Sequence, residues 1–325
     1  MLFNSFTFLF LLVITFGVYY LPGVRKLQLW TLLISSFTFY AWAFPKLLIL
    51  LLASVTINAW TSQKVYTALE DSNRKWFATL GVIANLGLLA FFKYSPLVAH
   101  LCFEPESNVG NFLLSVPLPI GISFFTFHGV SMLVDVYRKK NLEQYSHFME
   151  GNMGRHWLIT SIYIAFFPQL VAGPITKAYN FLPQIKEKYL KDIDWQRSFK
   201  FIVLGYFLKM VIADNLKDQT FWIAYPYFEA QSSLTLVAML FGYSFQIFAD
   251  FAGYSYIAMG LALLFGYELP LNFNFPYIST SFSEFWTRWH ISLSSWLREY
   301  LYIPLGGNRK GTFRTYFNLM AVMFL

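Results

Sequence analysis

Nine apolar blocks, each close to the length of a bilayer-spanning helix, dominate this 325-residue chain: 4–21, 27–44, 47–62, 76–92, 112–136, 157–172, 198–213, 232–249 and 252–267. A spanning helix needs about 17–25 predominantly apolar residues, and no block shows the sustained polar/apolar alternation of a half-buried strand. Only 13% of residues are charged while 57% are hydrophobic; soluble domains carry roughly 25% charged residues. The expected fold is an all-α polytopic integral membrane protein, one integrated domain over 1–325, with the lipid bilayer as its first partner. The N-terminal block reads as a first spanning helix rather than a cleaved signal, because it lacks a basic leader and a small-residue cleavage site.

Charge places the loops. Arg25 and Lys26, then Lys64, Arg74 and Lys75, then Arg138, Lys139, Lys140 and Arg155 fit cytoplasmic loops on alternate crossings, with the N-terminus outside and the loop of Lys93, Glu104, Pro105 and Glu106 on the far side. Lys177, Lys186, Lys188, Lys191 and Arg197 also call for the cytoplasm. The block 157–172, with Pro168 and a Gly173-Pro174 end, is therefore expected to be a broken or re-entrant element rather than a simple crossing. The block 112–136, with Pro117 and Pro119, is the other candidate for a break. Residues 268–314 are too polar to span and too aromatic for a free loop, so interfacial or re-entrant helices are expected there.

Within that region the stretch 281–307 carries the chemistry. Read as one helix, its Trp286, Trp289, Leu293, Trp296, Leu297 and Tyr300 share a face, while Glu284, Arg288, Ser292, Ser295 and Glu299 share the opposite one. Ser281 with Glu284 forms a capping box, Glu284 and Arg288 an i,i+4 pair, and Pro304, Gly306 and Gly307 end the helix. His290 then sits at the edge of the apolar stripe, flanked by Leu297 and Leu301. Imidazole there serves either as a general base or as a packed histidine bonded to backbone; its ordinary pKa of about 6.5 suits the base.

The segments Phe285–Ser292 and Trp296–Gly307, with Leu118–Phe127, Phe167–Ile175 and Tyr243–Ser255, resemble the membrane-bound O-acyltransferase family, and within it the bacterial alginate O-acetyltransferase branch. The resemblance runs over the whole chain and is most specific in 281–307. It implies an O-acetyltransferase of the bacterial inner membrane, acting in exopolysaccharide modification. Acetyl groups would pass from a cytoplasmic donor, acetyl-CoA first of all, towards an acceptor on the far side, with no cofactor bound. A periplasmic acetyl-transfer partner protein is the implied immediate acceptor.

The resemblance makes His290 the catalytic candidate and sets Arg288 and Trp289 beside it on the substrate side. The family's principal histidine lies in a later Trp-His-Gly segment that does not occur up to Leu325. That, with a final apolar run too short to cross a bilayer, leads to the expectation of a C-terminally truncated chain, in which His290 serves as the base or lines the donor side.

Asp250 is the leading intramembrane charge and is expected to line the substrate path; Gln246, His128, Asp135 and Lys209 also lie in apolar runs. Asp135 has Arg138 and Lys139 at i+3 and i+4, and Lys209 has Asp214 within reach. Asn272 and Asn274 suit a carbonyl or pantetheine-like arm, though such residues more commonly satisfy local turns; Asn274 is retained as a substrate-side candidate. The single cysteine, Cys102, excludes an internal disulfide and a cysteine metal cluster. No zinc-spaced histidine pair, serine elbow, phosphate loop or nucleic-acid patch is present. A transporter or flippase is the other class consistent with buried charge and broken helices, and D-alanine transfer to teichoic acid or peptidoglycan O-acetylation is the neighbouring chemistry.

Overall fold

A computed structural model describes residues 1–42, 45–104 and 107–324. The end of the 27–44 block, together with Pro105, Glu106 and Leu325, lies outside the described residues. Among these residues there is no strand. The chain divides into two compact units, one made chiefly of 10–171 and 175–187, the other of 2–9, 172–174 and 188–325.

The first unit holds most of α1 (Phe6–Tyr20), then α2 (Gln28–Ala41), α3 (Leu47–Thr67), α4 (Asp71–Cys102), α5 (Asn108–Ser115), α6 (Ile122–Tyr137), α7 (Met153–Ala165) and the single turn α8 (Ala178–Phe181). The chain bends by 104° between α1 and the segment that ends in α2. Close approach of α3, α4 and α6 depends on two glycines. A Cβ on Gly81 would fall 2.6 Å from Leu133 Cδ1, and one on Gly129 would fall 2.5 Å from Asn58 Nδ2. Asn58 and Asn85 exchange amide hydrogen bonds of 3.0 and 2.9 Å, so two polar side chains in an apolar bundle satisfy each other.

Both expected breaks occur. The block 112–136 is two helices, with Pro117, Pro119 and a left-handed Gly121 (φ 77) between them. The block 157–172 is helical only to Ala165, and Phe166, Phe167, Gln169 and Leu170 continue as buried non-helical chain.

The second unit is built on a helical hairpin. Its first arm is α9 (Trp195–Tyr206), a π-helical stretch (Phe207–Ala213) and α10 (Asp214–Thr220); its second arm is α11 (Ser233–Leu264). Ser198 Oγ donates to Gly260 O at 2.8 Å, Lys209 pairs with Asp250, and Thr220 bonds Gln246, which makes the arms antiparallel. The blocks expected as 232–249 and 252–267 are thus one 32-residue helix. Gly253 does not break it. A Cβ there would lie 2.8 Å from Gly205 O, and one on Gly205 would lie 2.7 Å from Gly253 O, so the glycines let the two arms touch. The short helices α12 (Phe282–Arg288) and α13 (Ile291–Leu297), a π-turn to Tyr302, and α14 (Thr312–Phe324) complete the unit. By length and apolarity α4 and α11 each suffice to cross a bilayer, and the bent α1–α2 pair together makes a third candidate.

Candidate functional site

The stretch expected to be one helix is two. Ser281 opens α12 as expected, its Oγ accepting from Glu284 N at 3.1 Å. The return contact differs from a capping box: Glu284 Oε2 takes the amide of Thr280 at 2.9 Å rather than that of Ser281. That amide, the Thr280 hydroxyl and Arg288 hold the partly exposed Glu284 carboxyl below the usual carboxylate range. The expected Glu284–Arg288 pair is formed at 2.9 Å.

The helix then stops. Trp289 is extended (φ −100, ψ 128) and His290 is left-handed (φ 43, ψ 53), after which α13 begins. A left-handed residue that is neither glycine nor asparagine costs about 1–3 kcal/mol and persists only where its surroundings fix it.

Residues 272–274 fix it. Asn274 N donates to Arg288 O and Ile291 N donates to Asn272 O, both at 2.9 Å, so this non-helical segment holds the chain on both sides of the elbow. Arg288 Nη1 also donates to Asn274 O at 3.2 Å. The break overturns the expected faces. Ser292, placed on the polar face by helical spacing, is buried at 2% exposure. His290 packs against Phe251 of α11, the rings meeting edge to face at 4.6 Å.

His290 is mostly buried, and its Nε2 has no hydrogen-bond partner among the described residues. Burial lowers its pKa to about 4, so the ring is neutral at pH 7. Trp289 packs into an aromatic cluster: it stacks on Phe285 at 5.5 Å and meets Phe273 edge-on at 5.0 Å, with Phe248 and Tyr277 beyond. Arg288, Trp289, His290 and the backbone of Asn274 therefore lie together, while the Asn274 side chain is exposed.

Asp250 is placed elsewhere. It is next to Phe251 in sequence but turns to the π-helical arm, where Lys209 Nζ lies 2.5 Å from Asp250 Oδ1 and 2.9 Å from Asp214 Oδ1. The Lys209–Asp214 contact is the one read from the sequence. Gln246, one turn before Asp250, bonds Thr220. In the first unit His128 is fully buried: its Nε2 accepts from Thr176 N at 3.2 Å, and its ring lies against Tyr163, whose hydroxyl bonds Ser131 and Thr176 O. Asp135 is fully buried on the same helix.

Asn272, weighed with Asn274 in the sequence but not retained as a substrate-side candidate, is the more deeply placed of the two. It is 1% exposed, and its side chain bonds Ser255 and Ser292. Its sequence signal, an Asn-Phe-Asn run, was identical for Asn272 and Asn274; burial separates them.

A helical membrane protein with a strained, mostly buried imidazole beside an aromatic cluster is the class this architecture defines. The membrane-bound O-acyltransferase family model matches residues 122–325, which hold α6 to α14 and the elbow. The chain belongs to that family. It is 38% identical over 334 positions to the probable alginate O-acetylase AlgI of Pseudomonas aeruginosa, covering 100% of this chain and 61% of the relative. It is 35% identical to the peptidoglycan O-acetyltransferase of Helicobacter pylori, over 100% of this chain and 66% of the relative. Against the teichoic acid D-alanyltransferase of Bacillus subtilis, identity is 30% over 73% of this chain and 57% of the relative. The chain thus spans about 61–66% of the length of the first two relatives.

Proposed function

We propose that this chain carries the acyl-transfer site of an O-acetyltransferase that spans the bacterial inner membrane several times and moves acetyl groups from cytoplasmic acetyl-CoA towards an exported polysaccharide, directly or through a periplasmic partner protein. Arrangement relative to the bilayer supports the direction of transfer. Lys186, Lys188 and Lys191 precede α9, Arg197 lies in its first turn, and no Lys or Arg occurs between Lys217 and Arg288, so the 221–232 reversal belongs outside. The far end of α11 returns to the basic side, where Arg197 pairs with Glu268 and Lys188 Nζ donates to Gly266 O. Phe251 lies 13 residues before Leu264, which at 1.5 Å per residue puts His290 about 20 Å from the cytoplasmic end of α11. In a hydrocarbon core of about 30 Å, that is reachable from either side.

The observation that carries the reading is the unpartnered, neutral Nε2 of His290 in the family-matched elbow. As the acceptor hydroxyl attacks the thioester carbonyl, its proton passes to Nε2. A C–O ester bond forms, the C–S bond breaks, and the proton moves on to the leaving thiolate. Arg288, Trp289 and Asn274 would bind the reacting arm, and Asp250 with Lys209 would line the approach along the hairpin. A His290→Ala change at the native locus should abolish O-acetylation of the exported polysaccharide while the protein still inserts at normal levels. Unchanged acetyl content would remove the catalytic assignment. Loss of acetate from peptidoglycan instead would keep the chemistry and change the acceptor.

A further inference from the structure

Left-handed geometry at His290 needs a device to hold it, and one residue grips the turn that follows it with both its backbone and its side chain. Asn272 O accepts from Ile291 N, the amide directly after His290. Its Oδ1 accepts from Ser292 Oγ at 2.6 Å and from Ser292 N at 3.3 Å. These are groups of the first turn of α13, where a capping side chain normally serves the free amides; no side chain of His290, which occupies the cap position, does so. Asn272 Nδ2 meanwhile donates to Ser255 Oγ on α11 at 3.1 Å. Asn272, Ser255 and Ser292 are 1%, 2% and 2% exposed, so water cannot stand in for these bonds. One turn before Ser255, the same helix supplies Phe251, the ring against which the imidazole rests.

We propose that Asn272 is the positioning residue of the site: it ties the elbow to α11 and thereby aims the His290 imidazole. The requirement is for one short side chain with an acceptor facing α13 and a donor facing α11. Asparagine meets it. Aspartate would bury a charge at this 1% exposed position, and serine or alanine cannot span the two helices. The inference deepens the acyl-transfer reading and rests on it for its kinetic consequence, but not for its geometric one.

The test uses two readouts on the full protein in membranes. Asn272→Ala should lower kcat for acetyl transfer about a hundredfold, the scale of a misplacement near 1 Å, with KM within about threefold. In the same variant, modification of His290 by diethyl pyrocarbonate, located by peptide mass spectrometry, should speed up several-fold because the ring loses its fixed seat. Wild-type kcat together with wild-type labelling would overturn the proposal. If Asn272→Ala does not accumulate, Ser255→Ala removes the α11 tie alone and should lower kcat about tenfold, the worth of one hydrogen bond; no change in rate or labelling there would equally overturn it. Should His290→Ala prove active, the acyl-transfer reading fails, and the labelling result still decides whether Asn272 seats the ring.

Discussion

Phe251 on α11 meets His290 edge to face with ring centroids 4.6 Å apart, and this contact sets the imidazole against the middle of the longest helix of its unit. The helix ends of α11 fix the depth of the ring, and the elbow fixes its direction. Four consequences can be measured.

Backbone strain and chemistry at position 290 are separable. Asparagine tolerates left-handed geometry and valine does not. His290→Asn should therefore accumulate and melt like the parent while losing activity. His290→Val should also lose stability, by about 1–3 kcal/mol. Equal melting temperatures for the two variants would show that the elbow is not strained.

Acid dependence follows from burial. A base must be neutral to accept a proton, and burial lowers the His290 pKa to about 4. The rate should stay flat as pH falls through 6.5, the ordinary histidine value, and drop only near pH 4 as the ring protonates. A single-turnover pH profile with its acid limb at 6.5 would place the ring in water instead.

Gly253 and Gly242 lie on the same helix with different surroundings. A Cβ on Gly253 meets backbone at 2.8 Å, whereas one on Gly242 meets only side-chain methyls at ordinary contact distance, Thr220 Cγ2 at 3.5 Å and Leu216 Cδ2 at 3.9 Å. Gly253→Val should force α9 and α11 apart and cost about 1–3 kcal/mol. Gly242→Ala should be neutral or slightly stabilising. Thermal unfolding in detergent of the two variants side by side checks the difference.

Lys209 stands between two carboxylates, with side-chain exposures of 29% for Lys209, 41% for Asp214 and 54% for Asp250. Lys209→Met leaves both carboxylates uncompensated in a membrane segment, so folded yield should fall. Adding Asp250→Asn should restore part of it. Partial exposure keeps the expected effect modest, and a Lys209→Met yield equal to the parent's would mean that the triplet contributes nothing.

Apolar length and charge made the helical class, the breaks at 116–121 and after Ala165, and the Glu284–Arg288 pair legible, because each depends on residues close together in sequence. Two features were not legible for one reason. The division into 232–249 and 252–267 missed one continuous helix, and the use of Gly253 as a contact point depends on Gly205, 48 residues away. The elbow at Trp289–His290 contains neither glycine nor proline, so the apolar spacing runs through it unbroken. Hydrogen bonds from Asn272 and Asn274, far back in the chain, end the helix there. Asp250 likewise stands out as an intramembrane charge, but its turn towards Lys209 depends on the π-helical register of the opposite arm.

The central claim is that His290 takes the acceptor proton in acetyl transfer. Its most direct test is acetyl transfer from radiolabelled acetyl-CoA by membranes containing the protein, comparing the parent with His290→Asn, which keeps the backbone geometry. A fall of about a hundredfold or more at unchanged protein level is the predicted result. Transfer at the parental rate would contradict it and leave His290 as a packed residue of the elbow.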